Sequence, residues 1–118
     1  MKFGFQMDPL HTLNHTTDST LPMILESQRR KNRNYIFSPG SLTFKESSLY
    51  AQAKEIKFKN DKLNSYTLSS EKKLNLNSLN YIFIRQDPPY DMEYISSMHL
   101  LEQLSGNTKV VNLSLIHI

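Results

Sequence analysis

Tyr81-Ile82-Phe83-Ile84-Arg85-Gln86-Asp87-Pro88-Pro89-Tyr90-Asp91 is an apolar run without alternation that stops at an arginine and passes into an acidic, proline-locked turn. A strand covered on both faces reads as continuous apolar residues, and open parallel sheets bind ligands outside the carboxyl ends of such strands. Arg85 and Asp87 fall at that spot. A second strand ends in the same way at the start of the chain, Phe3-Gly4-Phe5-Gln6-Met7-Asp8-Pro9. The two together predict an α/β fold with a mostly parallel open sheet flanked by helices.

Working outward from these strands, residues 11–17 read as a polar loop and a first helix begins at Asp18 or Ser19, both good N-cap types. With Ser19 as the cap, Pro22 occupies the third helical position, where its missing N–H is harmless. Leu21, Ile24, Leu25 and Gln28 follow i, i+3, i+4, i+7 spacing, which predicts one buried face ending near Lys31 or Asn32. Asn34-Tyr35-Ile36-Phe37 is a second strand closed by the turn signal Ser38-Pro39-Gly40. Leu42-Thr43-Phe44 and Ala53 to Lys59 then alternate apolar and polar residues around Glu46-Ser47-Ser48, the pattern of an antiparallel hairpin insertion with one wet face. Residues 60–80 are polar and lysine-rich, with Tyr66-Thr67-Leu68 as a short edge strand and loop elsewhere. A second helix opens at Asp91-Met92-Glu93, presents Tyr94, Ile95, Met98, Leu101 and Leu104 on one face and stops at Gly106. Lys109-Val110-Val111-Asn112 supplies a further parallel strand.

A chain of 118 residues fits one domain with a single modest core. It has no cysteine, which removes disulfides, thiolate nucleophiles and zinc-thiolate sites and agrees with a reducing cytosol. No apolar run approaches the roughly 20 residues that span a bilayer, and the N-terminus enters a strand directly, so a cytoplasmic protein without membrane contact is expected. The formal charge of +3 comes from lysines scattered among Asn and Ser. They lack the aromatic platform or compact basic stripe of single-strand binders, which argues against nucleic acid. Arg29-Arg30-Lys31 is explained by the favourable placement of cations in the last turn of a helix.

Among chemistry-bearing residues, Asp8 is held extended by Pro9 at a strand end, where it either faces the crevice or caps a loop. Asp18, Ser19 and Thr20 either cap the first helix or aim its N-terminus, with free N–H groups, at an anion in the crevice. Arg85 has the planar fork that pairs bidentately with a carboxylate; the alternative is an internal ion pair with Asp87 or Asp91. Pro88 and Pro89 fix the turn that presents it, and Asp87 and Asp91 act as positioners, Asp91 as a cap for the second helix. No metal site is expected: His11 and His15 have helical metal spacing but sit in a loop without a third ligand. His99 is structural. With only three glycines the chain has neither Gly-x-Gly-x-x-Gly nor a P-loop, and no nucleophile-histidine-acid set is arranged for catalysis.

The ordered set Met7-Asp8-Pro9, Asp18-Ser19-Thr20, Glu26-Ser27-Gln28-Arg29-Arg30 and Arg85-Gln86-Asp87-Pro88-Pro89-Tyr90-Asp91 resembles the N-terminal, pre-ATP-grasp domain of prokaryotic glutathione synthetase, over residues 1–112. Two departures stand out. Lys31 replaces the glycine usual after the Arg-Arg pair, and Leu113-Ser114-Leu115-Ile116-His117-Ile118 does not follow the family, so residues 113–118 are read as foreign sequence and the chain as a gene fragment. The resemblance implies an enzyme that joins γ-glutamylcysteine to glycine through an acyl phosphate made with ATP and magnesium, on ATP-grasp domains absent here. The fragment alone is then expected to be inactive and to bind neither ATP nor magnesium. It also implies a homotetramer, and a substrate-binding role for Arg85, Asp8, Asp18, Ser19 and Thr20, with Pro9, Asp87, Pro88, Pro89 and Asp91 as structural turn residues and no catalytic residue on this domain. The alternatives are a non-catalytic flavodoxin-like binding or signalling domain, or the N-terminal domain of another ATP-grasp ligase. A phosphoacceptor receiver is disfavoured, because Asp8 stands alone and Lys109 precedes its strand.

Overall fold

Strand Lys2–Met7 (β1) has side chains buried on both faces, with Phe5 and Gln6 fully inaccessible, as a central parallel strand requires. The computed structural model describes residues 1–8, 10, 20–85, 92–104 and 106–112. After β1 come a helix Thr20–Arg29 (α1) and strands Arg33–Phe37 (β2), Thr43–Lys45 (β3), Ser48–Phe58 (β4), Tyr66–Leu68 (β5) and Lys72–Asn75 (β6). Strand Tyr81–Arg85 (β7), helix Met92–Leu101 (α2) and strand Lys109–Asn112 (β8) follow. The sheet runs in the order β3-β4-β2-β1-β7-β8, with β5 and β6 also pairing with β4. β2, β1, β7 and β8 are parallel; every pairing of β4 is antiparallel. The parallel half is as expected, and the antiparallel half is larger than a hairpin.

β1 leads through α1 to β2 on one side, and β7 leads through α2 to β8 on the other. Right-handed crossovers in opposite directions put the two helices on opposite faces. The core divides accordingly: Phe5, Met7, Ile56 and Phe58 pack with Leu21, Ile24 and Leu25 of α1, while Tyr35, Phe37, Ile82 and Ile84 pack with Tyr94 and Leu101 of α2. The direction of winding therefore reverses between β1 and β7.

Several expectations are corrected. Gln28 does not pack as a core residue. Its Nε2 donates to the Phe58 carbonyl at 3.0 Å and its Oε1 accepts from the Phe58 N–H at 2.7 Å, so it pins the end of β4 to α1. On α2, Ile95 is exposed and Ser97 is fully buried, because the buried Gln6 near the end of β1 needs a polar partner and its Nε2 donates to Ser97 Oγ at 2.9 Å. His99 lies on an exposed position of that helix. Gly106 stands five residues beyond the end of α2 without a positive φ, so it is not the left-handed cap of that helix. β6 was expected as loop; it forms because β4 is long enough to carry a second partner beside β5.

The turn between β3 and β4 is a two-residue hairpin with Glu46 at φ 53° and Ser47 at φ 66°, the left-handed pair whose twist matches antiparallel strands. α1 ends in a Schellman motif: the Lys31 N–H donates to the Gln28 carbonyl at 2.8 Å and the Asn32 N–H to the Ser27 carbonyl at 3.2 Å, with Lys31 at φ 66°. A side chain at this left-handed position is strained. Far from the carboxyl ends of the parallel strands, Arg33 at the start of β2 grips Glu55 with Nε and Nη2, at 3.0 and 2.9 Å. This hydrogen bonding holds the Glu55 carboxyl below its ordinary range.

Two measurements check these features. Lys31→Gly should relieve the left-handed backbone and stabilise the fold by about 1 kcal/mol, raising the melting temperature by a few degrees; an unchanged or lower value would show that the turn is unstrained. Glu55 has a folded pKa below its unfolded one, so its contribution is present at neutral pH and fades as pH falls through the folded value. The stability gap between the protein and Glu55→Gln, read from urea midpoints, should therefore be widest at neutral pH and close in acid; a pH-independent gap would contradict the pairing.

Candidate functional site

An open parallel sheet offers its ligand crevice where the strand order reverses, outside the carboxyl ends of the two central strands. Here these strands are β1 and β7, which end side by side with Met7 in register with Arg85. Strand alternation sorts their side chains. Ile82 and Ile84 turn to the α2 side, while Phe83 packs with Phe5 on the α1 side, so Arg85, two residues on, shares the α1 side. Its Nε donates to Thr20 Oγ1 at 3.2 Å. Thr20 is the first residue of α1 and is fully buried, which places the helix start against the end of β7. Pro22, the third helical residue, falls in the first turn, where a backbone N–H would have had no intrahelical acceptor.

Asp8 follows β1 and is exposed. It lines a cleft of about 540 Å³ beside the ends of β1 and β2, walled by Met7, Leu10, Ile36, Phe37, Ser38, Ser41, Gln52, Lys54, Tyr66, Leu68 and Glu71. That volume is in the range of small-molecule sites. The structure thus brings Arg85 and Thr20 into contact and sets Asp8 on the next strand end. Asp18 and Ser19, and the turn residues Pro9, Asp87, Pro88, Pro89 and Asp91, lie outside the described residues.

Sequence reasoning missed the far wall of this cleft. Lys54 and Gln52 belong to the β4 row that also carries Ile56 and Phe58, and Glu71 precedes β6. The signal was present as a same-face row changing from apolar to polar residues partway along one strand. The arginines at the end of α1 are engaged structurally: Arg29 Nε donates to both oxygens of Asp61 at 2.9 Å, and Arg30 Nε donates to Glu26 at 3.2 Å.

No group of three metal-ligating side chains gathers among the described residues. No described helix is long and apolar enough to cross a membrane.

The family model described as "Prokaryotic glutathione synthetase, N-terminal domain" matches residues 1–114. The chain is 31% identical over 112 residues to the glutathione synthetase of Mesorhizobium japonicum, covering 95% of this chain and 36% of that relative. It is 36% identical over 109 residues to the glutathione synthetase of Agrobacterium fabrum, covering 92% and 34%, and 35% identical over 112 residues to that of Brucella melitensis, covering 95% and 36%. The chain spans about a third of the length of these curated relatives.

Proposed function

The chain belongs to the prokaryotic glutathione synthetase family, as its N-terminal domain, and from that premise we propose that it forms one wall of the dipeptide site of an ATP-dependent ligase joining γ-glutamylcysteine to glycine. The observation that carries the proposal is the Arg85–Thr20 contact at the carboxyl end of β7, beside the reversal of strand order. A guanidinium held through Nε by a buried hydroxyl is oriented before substrate arrives, and such preorganisation lowers the cost of gripping a carboxylate. Arg85 binds a carboxylate of the dipeptide, Thr20 positions it, and the first turn of α1 with Asp18 and Ser19 faces the same ligand. Asp8 borders the site from β1. Pro9, Asp87, Pro88, Pro89 and Asp91 shape the flanking turns.

ATP and magnesium, which supply the activation of the carboxylate, are held by the rest of the longer protein. This domain binds and orients; it carries no catalytic residue, and by itself it is inactive. The whole enzyme is a cytoplasmic homotetramer in this reading.

Steady-state kinetics of the full-length enzyme test it. Arg85→Lys keeps the charge and loses the fork; losing one charge-assisted contact, about 1.5–3 kcal/mol, should reduce kcat/KM for γ-glutamylcysteine roughly ten- to a hundred-fold. Thr20→Val should cost less, roughly two- to tenfold, as for a neutral hydrogen bond. The constant for ATP should hardly move. Normal dipeptide kinetics in Arg85→Lys, or a defect confined to ATP, would leave Arg85 a structural residue.

A further inference from the structure

The row of side chains that β4 turns toward α1 changes character along its length. Phe58 and Ile56 are buried in the core beneath α1, whereas Lys54 and Gln52, next on the same row, line the cleft. Register sets Lys54 opposite Ile36, itself a lining residue that packs on that core. A half-buried lysine therefore continues a row of core residues into the wall of the cleft. Glu71 reaches the same cleft from the segment before β6. Neither side chain makes a hydrogen bond or ion pair with a described residue, so they do not neutralise one another.

Lys54 and Glu71 are a cation and an anion held apart on the wall of a cleft that Asp8, itself already engaged, also lines, with Met7, Leu10 and Leu68 as apolar surfaces; such a pair is complementary to a ligand that carries both charges on neighbouring atoms. We propose that this cleft is a site for the zwitterionic head of an α-amino acid, with Lys54 donating to the carboxylate and Glu71 accepting from the ammonium. A purely anionic ligand would meet the Glu71 carboxylate, and a purely cationic one the Lys54 ammonium. The proposal rests on the dipeptide-site reading above and deepens it: the glutamyl end of γ-glutamylcysteine is such a head, its ammonium and carboxylate borne on one carbon. It assigns Lys54 and Glu71, which that reading did not use, and makes the head group the feature the domain selects.

Titration of the isotopically labelled 118-residue chain, followed by backbone amide NMR, tests it with three probes: γ-glutamylcysteine, its N-acetyl derivative, which lacks the ammonium, and its glutamyl α-amide, which lacks that carboxylate. The dipeptide should shift the amides of Gln52, Lys54 and Glu71 saturably. Each derivative should bind at least about tenfold more weakly, as should the dipeptide to Lys54→Met or Glu71→Gln, the loss of one charge-assisted hydrogen bond. Spectral dispersion of each variant confirms that it is folded. Equal affinity for the derivatives, undiminished binding to both variants, or no saturable shift at these amides would overturn the proposal. Saturable shifts confined to Thr20 and Arg85 would overturn it while sustaining the dipeptide-site reading.

Discussion

β1 has to be covered on both faces, and its two neighbours wind away from it in opposite directions; most of the architecture follows from that constraint. Because a right-handed crossover toward β2 lays α1 on one face and a right-handed crossover from β7 lays α2 on the other, the core splits into two clusters separated by the sheet. Polar groups left inside find partners across the layers: Gln6 Nε2 donates to Ser97 Oγ, leaving Gln6 Oε1 buried without a hydrogen bond among the described residues, and the Ser27 hydroxyl donates to Asn34 Oδ1 at 2.6 Å. Neither helix can close over the carboxyl ends of β1 and β7, which leaves the crevice that the site occupies.

The antiparallel half of the sheet has a second role. β4 is long enough to pair with β2 near one end and β3 near the other, with β5 and β6 on its opposite edge. This extension raises a wall beside the ends of β1 and β2, turning the edge of a crevice into a cleft. Gln28, bonded to both the N–H and the carbonyl of Phe58, ties that wall to α1, so the cleft and the Arg85–Thr20 pair are built on one frame.

Much of this was legible in the chain. The unbroken apolar run at Tyr81–Ile84 read as a doubly covered strand, and the alternation around Glu46 and Ser47 as an antiparallel hairpin, and both readings match the fold. Lys72–Asn75 was illegible as a strand because its pairing is a backbone matter: Lys72 and Lys73 face water, and no side-chain pattern announces the free edge of β4. Ser97 was passed over because a serine is not counted toward an apolar face until its partner, Gln6, is known to be buried. The contact of Arg85 with Thr20 joins residues 65 apart in sequence. Local reasoning put each at a strand or helix end, but only the crossover geometry brings those ends together. Lys54 and Glu71 were hidden for the same reason, since a lysine on a strand and a glutamate in a loop are ordinary surface residues until the fold sets them on one cleft.

The central claim, that a preoriented Arg85 receives the dipeptide, is tested most directly by the Nε–Hε resonance of Arg85 in the full-length enzyme. In the free protein the account predicts a resolved signal, slowed in solvent exchange by its bond to Thr20 and lost or shifted in Thr20→Val. Saturating γ-glutamylcysteine should move that signal, and Mg-ATP alone should not. A resonance that stays in place while the dipeptide saturates its site, or one that responds only to nucleotide, would contradict the account.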